Sequence, residues 1–181
     1  MTPLDVIQFW RDAVKPARWF ADDPTLDADI RARFEPLWRT AHGGGLSDWE
    51  ATPEGALALV IVLDQFPRNM FRDHAAAFAS DAAARAAARR AIDHGFDRRV
   101  PTVLRAFFYL PFMHSEDTID QDHSVALIGE RVGKDSVNYP FALAHRDVIA
   151  KFGRFPTRNA ALGRASTPDE VLFLNRSLKP H

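Results

Sequence analysis

The chain has 181 residues, of which 46% are apolar, a formal net charge of −1 and no cysteine. This size suits one globular domain over residues 1–181 that buries roughly 70% of the surface exposed by its unfolded chain. The near-neutral charge argues against nucleic acid as a partner, and the lack of cysteine excludes disulfides, thiol nucleophiles and thiolate metal sites. We expect a cytoplasmic protein with no membrane partner, since the sequence shows neither a signal peptide nor an apolar stretch of roughly 20 residues.

Three helix starts share one pattern, in which a threonine is followed directly by a proline. The threonine hydroxyl can accept from the first free N–H groups, and proline lacks an N–H that would be unpaired at this position anyway. The pattern predicts helices over about 3–14, 53–65 and 168–175, which start after Thr2, Thr52 and Thr167.

Apolar residues at spacings of three and four predict the remaining helices. One covers Leu26–Ala41, although Pro36 should kink it or shift its start. Three more end close to a glycine, namely 80–94, 117–132 and 139–152. No segment alternates with a period of two for long enough to form a strand. The sequence therefore predicts an all-α fold of about eight helices in a single compact helical domain.

The segment Leu63–Arg72 places many polar side chains beside large apolar ones. Its candidate ligand-binding residues are Asp64, Gln65, Arg68, Asn69 and Arg72. Pro67 interrupts the hydrogen-bond ladder, so we expect a helix end, a tight turn and a new helix that starts at Pro67, whose first amides and nearby arginines would suit an anion. The structural alternative is that Asp64 pairs with Arg68 or with a remote arginine, while Asn69 caps backbone groups.

A second candidate site lies in Tyr109–Thr118. His114 is a candidate general base that Glu116 would orient, because an imidazole beside a carboxylate titrates near neutral pH. The alternative is a helix N-terminus that carries acids because the helix dipole favours them, with Ser115 or Asp117 as its cap.

A metal site is a further alternative for this segment. Glu116, Asp120 and His123 share one helical face. That face is also the solvent face expected of an amphipathic helix, so we expect no metal. The sequence likewise contains no phosphate loop or nucleophile elbow, so no cofactor is expected and no reaction class is assigned.

The third segment, His145–Arg164, combines a histidine with a run of basic residues. His145 lies on or beside the apolar stripe of its helix, as a hydrogen-bonded core residue or as a catalyst. Arg154, Arg158 and Asn159 are candidate ligand contacts, since arginine matches the geometry of carboxylate and phosphate. Alternatively, the basic run from Lys151 to Arg164 pairs with the acidic run that begins at Glu116.

Three stretches of the chain, LDQFPRNMFR, LPFMHSED and HRDVIAKFGRFPTRNAALGRASTPDE, resemble the signature segments of the bacterial domain of unknown function 924 family. With the spacing between them, the resemblance covers nearly the whole chain from the first helix to Leu174. It implies an all-α, tetratricopeptide-like fold and no established activity. No catalytic residue is therefore carried over from the family, and only the three segments are expected to hold its special positions.

Three hypotheses follow for function. In the first, Arg68, Arg72, Arg154 and Arg158 hold a small anionic molecule in one pocket, while His114 or His145 handles a proton with Glu116 or Asp64 as orienting group. In the second, the chain is a helical interaction module whose arginines bind a peptide carboxylate in a groove lined by aromatic side chains. In the third, carboxylates of the chain itself take up the arginines and the segments are purely structural. The oligomeric state is left open.

Overall fold

The computed structural model describes residues 1–177, and within them the chain is helical throughout with no β-strand. The α-helices are α1 (Pro3–Gln8), α2 (Pro24–His42), α3 (Pro53–Val60), α4 (Phe66–Met70), α5 (Asp81–Asp93), α6 (Thr102–Arg105), α7 (Leu110–Met113), α8 (Thr118–Arg131), α9 (Asn138–Phe152) and α10 (Pro168–Ser177). The all-α prediction is confirmed. None of the helices among these residues is both long and apolar enough to span a membrane.

Two π-helices join or extend these elements. One, Phe9–Val14, continues α1, and the other, Ile61–Gln65, connects α3 to α4 without a break. The segment between α6 and α7 is a 3₁₀ turn. The ten α-segments of residues 1–177 thus form eight longer helical stretches, as the sequence predicts.

The predicted threonine caps are present. Thr2 Oγ1 accepts from the amide of Asp5 over 3.3 Å, and Thr52 Oγ1 accepts from the amide of Gly55 over 3.1 Å. Thr167 caps α10 in the same way. Helix α2 starts at Pro24 and runs through Pro36, so the proline does not shift its start.

The prediction of a helix end and a new start at Pro67 is wrong. Gln65 and Phe66 both have right-handed helical angles, so the chain stays helical from α3 into α4. Pro67 has no N–H to donate to the carbonyl of Leu63, but the Ser80 hydroxyl donates to this oxygen over 2.6 Å. The amide of Phe66 bonds to Ile61 in the wider π register. Because the chain is already helical before Pro67, the amides that follow it are not those of a free helix N-terminus, so this argument for an anion site does not apply.

The chain divides into two compact units, each described by itself. Unit 1 comprises residues 1–72 and 76–111, and unit 2 comprises residues 73–75 together with the chain from Phe112 onward. The prediction of one domain over residues 1–181 stays a prediction, and residues 178–181 lie outside the described part.

Unit 1 is built around aromatic side chains. Phe66 lies in contact with Phe34 at 4.6 Å between ring centroids and with Trp10 at 5.7 Å. Trp10 also contacts Phe107 edge-on at 5.8 Å. All four side chains are buried, and burial of this apolar surface is the main source of stability for the unit.

In unit 2, α8 and α9 pack against each other and are joined by a short connection. Leu127 and Ile128 of α8 are buried, as are Ala142 and Ile149 of α9. Asp117 caps α8 with a 2.7 Å hydrogen bond from the amide of Ile119, which confirms one of the two predicted caps. The turn that precedes α8 and the segment that follows α9 carry the second and third candidate segments.

Candidate functional site

Arg68 lies between two carboxylates of unit 1. Its Nη1 and Nη2 donate to Asp81 over 3.0 and 3.2 Å, and Nη1 also lies 3.3 Å from Asp64 Oδ1. Burial acts to lower the pKa of Arg68, but the charges of Asp64 and Asp81 outweigh it and raise the pKa. Arg68 therefore stays charged and neutralises an aspartate that is only 1% exposed.

The other polar residues of the first segment also contact carboxylates. Asn69 Nδ2 donates to Asp27 Oδ1 over 2.8 Å, and Arg72 holds the same carboxylate with two hydrogen bonds of 2.7 and 3.0 Å. Gln65 Nε2 donates to Asp64 Oδ2 over 2.6 Å. The first segment thus has the Asp64–Arg68 pair of the structural alternative, and Asn69 contacts a side chain rather than a backbone group. The ligand role of these residues stays a prediction.

In unit 2, Glu116 connects the second segment to the third. It accepts from Arg164 over 2.7 and 3.0 Å and from the amide of Phe155 over 2.8 Å. Partial burial acts to raise the pKa of Glu116, but these hydrogen bonds outweigh it and lower the pKa. Glu116 and Arg164 therefore form one pair between the acidic and basic runs. The hydrogen bond from the Phe155 amide to Glu116 fixes the backbone at Phe155.

Glu170 organises the end of the third segment. Arg154 donates to both of its carboxylate oxygens over 2.7 and 2.8 Å, and the amide of Thr167 donates over 2.7 Å. Asn159 Nδ2 contacts the same carboxylate at 3.3 Å. The hydrogen bond from Arg154, followed by that from the Thr167 amide, lowers the pKa of Glu170 to about 2.

The His145 imidazole and the Arg158 guanidinium lie against the ring of Phe155, and the His114 ring lies next to that of His145. We call His114, His145, Phe155 and Arg158 the histidine face. The His114 and His145 ring centroids are 6.4 Å apart, and the His145 ring lies 5.4 Å from that of Phe155. The Arg158 guanidinium lies 4.6 Å from the Phe155 centroid, and its Nη2 donates to the backbone oxygen of His114 over 2.8 Å.

The residues of the histidine face come from three parts of unit 2. His114 lies in the turn after α7 and His145 in the middle of α9, while Phe155 directly precedes the 3₁₀ turn Pro156–Arg158 that contains Arg158. Both histidines and Arg158 are half-buried, whereas Phe155 is buried. Such an arrangement can bind an anion through the guanidinium and exchange a proton through an imidazole.

The predicted site residues therefore fall into two groups. The first segment lies in unit 1, and His114, Glu116, His145, Arg154, Arg158 and Asn159 lie in unit 2. A single pocket that contains the arginines of both groups stays a prediction.

The partners Asp27, Asp81 and Glu170 were missed from the sequence. Asp27 and Asp81 lie in the first turns of α2 and α5, where acids are ordinary, so no local signal marks them. Glu170 did have a signal, because threonine followed three residues later by glutamate is the pattern of a capping box, and both of its hydrogen bonds are present.

The chain is similar to known proteins over nearly all of its length. A family model described as a bacterial protein of unknown function (DUF924) matches residues 6–177. The solved structure of a protein of unknown function, ATU0120 from Agrobacterium tumefaciens, is 40% identical, with 96% of this chain and 97% of that chain covered and a TM-score of 0.91. No curated protein matches the chain.

Proposed function

The chain belongs to the bacterial family of proteins of unknown function DUF924, and for this member we propose that the histidine face binds a small anionic molecule. The observation that carries the proposal is that the His145 imidazole and the Arg158 guanidinium lie against one buried aromatic ring, with the His114 ring 6.4 Å from that of His145. Carboxylate and phosphate groups fit best, because a guanidinium donates two parallel hydrogen bonds to either of them.

The neighbouring ion pairs support this proposal by holding the face in place. The Glu116–Arg164 pair fixes the backbone of Phe155, and the Arg154–Glu170 pair holds the segment that follows. In this proposal Arg154 and Asn159 position the face rather than contact the ligand. Asp64, Gln65, Arg68, Asn69 and Arg72 likewise stabilise unit 1.

Binding should be pH-dependent. Acidic pH favours the protonated form of an imidazole, and each protonated imidazole would add a positive charge to the face. An anion whose own charge is constant over this range, such as sulfate, should then bind more tightly at about pH 6 than at about pH 8.

The test is thermal unfolding with sulfate or acetate at constant ionic strength. A ligand at a hundredfold its dissociation constant adds about 2.7 kcal/mol, which for a chain of this size raises Tm by roughly 5–10 °C. Arg158→Ala and His145→Ala should abolish this increase. Arg146→Ala is the matched control. It removes an arginine of α9 that is next to His145 in the sequence and that pairs with exposed Asp147.

A general salt effect on stability would raise Tm equally in wild type and in all three variants, and that result would overturn the proposal. Equal sulfate affinity at both pH values would show that the imidazoles do not contribute charge to anion binding. Circular dichroism of each variant shows whether the helical fold is retained.

Catalysis at the same face is the finer part of this proposal. His145 Nδ1 lies 2.8 Å from the carbonyl oxygen of Phe141, which fixes the ring plane as a proton-transfer group requires. Hydrolysis of 4-nitrophenyl phosphate or 4-nitrophenyl acetate, and its loss in His114→Ala or His145→Ala, would support it. If both variants keep the wild-type rate, neither histidine is catalytic.

The second candidate is a peptide-interaction module of tetratricopeptide-like type. The observation in its favour is Phe141, which is 60% exposed one helical turn before His145. A peptide could place its terminal carboxylate at Arg158 and an apolar side chain on Phe141. Peptides with a free carboxylate should then bind more tightly than their amidated forms, and Phe141→Ser should weaken them while leaving sulfate binding unchanged.

A further inference from the structure

A cavity of about 240 Å³ lies within unit 1, and none of its lining residues is among those considered above as ligand contacts. It is bounded by the end of α2, the glycine loop that follows, the α3 helix with its π-helical continuation, and α5. Its presence follows from the alanines of α5. Ala83, Ala86 and Ala87 point toward this space, and their methyl groups are too short to fill it.

The floor of the cavity is apolar. Leu59, Leu63 and Ala87 line it and are buried, with 4%, 2% and 2% of their surfaces exposed. Close packing is the rule in protein interiors, and apolar cavities of about 150 Å³ accept a molecule such as benzene. A space of about 240 Å³ therefore has room for one ring with a small substituent.

The rim of the cavity is polar but carries no net charge when His42 is neutral. Arg90 and Glu50 form a paired contact, with Arg90 Nη2 donating to Glu50 Oε1 over 2.8 Å. His42 stacks on Trp38 at 5.5 Å between centroids, with the two ring planes nearly parallel. Ser47 adds an exposed hydroxyl. The rim thus offers hydrogen-bonding groups, but its one arginine is paired with Glu50, so an anion would lose its hydration without gaining a free cation.

We infer that this cavity binds a small neutral molecule with an apolar body the size of one substituted ring and a single hydroxyl or amide group. The body occupies the space beside the alanines of α5, and the polar group contacts the rim at His42 or Ser47. This site is independent of the anion site proposed for unit 2, since it lies in another part of the chain and favours ligands without charge.

The test uses three probes that share one methyl-substituted ring, namely 4-methylphenol, toluene and 4-methylbenzoate, titrated into protein labelled for NMR at its alanine methyls and backbone amides. Saturable shifts are expected at Ala83, Ala87 and the Gly44 amide. The phenol should bind most tightly, because it combines the ring with a neutral donor, and the benzoate should bind at least about tenfold more weakly.

Two variants locate the binding. Ala86→Leu places a larger side chain at the mouth of the cavity from an exposed position, so the fold should be retained while affinity for the phenol falls about tenfold or more. Ala82→Leu is the matched control, since this alanine is exposed on the same helix and does not line the cavity. Glu50→Gln should narrow the difference in affinity between phenol and benzoate, because it leaves the Arg90 guanidinium on the rim without its carboxylate.

The inference is overturned if no probe gives saturable shifts, if the shifted residues are spread over the surface, or if Ala86→Leu binds the phenol as well as Ala82→Leu does. Benzoate binding as tightly as the phenol would also overturn it, because the rim would then not select neutral ligands. None of these outcomes bears on the histidine face. That face is tested with anions, and its variants are substitutions in unit 2.

Discussion

Replacing Arg68 by methionine removes the guanidinium that contacts both Asp64 and Asp81, while the apolar part of the side chain is kept. The Asp64 side chain is 1% exposed and that of Asp81 is 12% exposed, so neither carboxylate can recover its hydration without movement of the chain. Removal of one partner of a buried ion pair costs about 3–5 kcal/mol, because a buried charge is left behind.

Urea unfolding followed by circular dichroism measures this cost. With a denaturant dependence of about 2 kcal/mol per molar urea, the midpoint should fall by roughly 1.5–2.5 M. The matched control is Arg39→Met on α2, which removes an arginine that is 67% exposed and paired with Glu35. A surface pair of this kind contributes about 0.3–0.5 kcal/mol, so the control midpoint should move by no more than about 0.3 M.

The double variant Asp64→Asn with Arg68→Met separates charge from packing. It should be more stable than Arg68→Met alone, because the more deeply buried of the two uncompensated carboxylates is gone while Asp81 remains. If Arg68→Met loses no more stability than Arg39→Met, the buried ion pair does not stabilise unit 1, and a ligand role for Arg68 becomes the better explanation of its position.

Three further predictions concern backbone contacts and acid sensitivity. Gly55→Ala should lower stability by about 1–3 kcal/mol or more in urea unfolding, because a Cβ would lie 2.1 Å from the backbone oxygen of Trp49. Ser80→Ala should cost about 1–3 kcal/mol in the same assay, since the buried Leu63 carbonyl loses its 2.6 Å hydrogen bond. Glu170→Gln should flatten the acid branch of a plot of Tm against pH. The pKa of Glu170 is lowered from 4.5 to about 2 in the folded chain, so its contribution is present above pH 4.5 and is lost as the pH falls toward 2.

Each of these predictions has a control. Gly43→Ala should be tolerated, because the nearest atom to its Cβ is 3.4 Å away. Ser47→Ala removes an exposed hydroxyl and should leave stability within about 0.5 kcal/mol of wild type. Asp169→Asn removes the exposed acid next to Glu170. Equal effects of a variant and its control, or an unchanged acid branch in Glu170→Gln, would contradict the mechanism given for that residue.

Local physical chemistry in the sequence was sufficient for the helices. A threonine before a proline marks a helix start because one side chain satisfies the free amides and the other loses nothing by lacking one. A glycine marks a helix end where the backbone must turn left-handed, as at Gly95 and Gly153. These rules involve neighbours a few residues apart, so they hold before any tertiary contact forms.

Tertiary structure decided that the helix continues past Pro67, and it decided which carboxylates pair with the arginines. The carbonyl that Pro67 leaves without a donor is satisfied by Ser80, which lies 17 residues from Leu63. Arg72 pairs with Asp27 across 45 residues of sequence. Composition marked these segments as crowded with polar groups that need partners, but the choice of partner depends on which helices pack together.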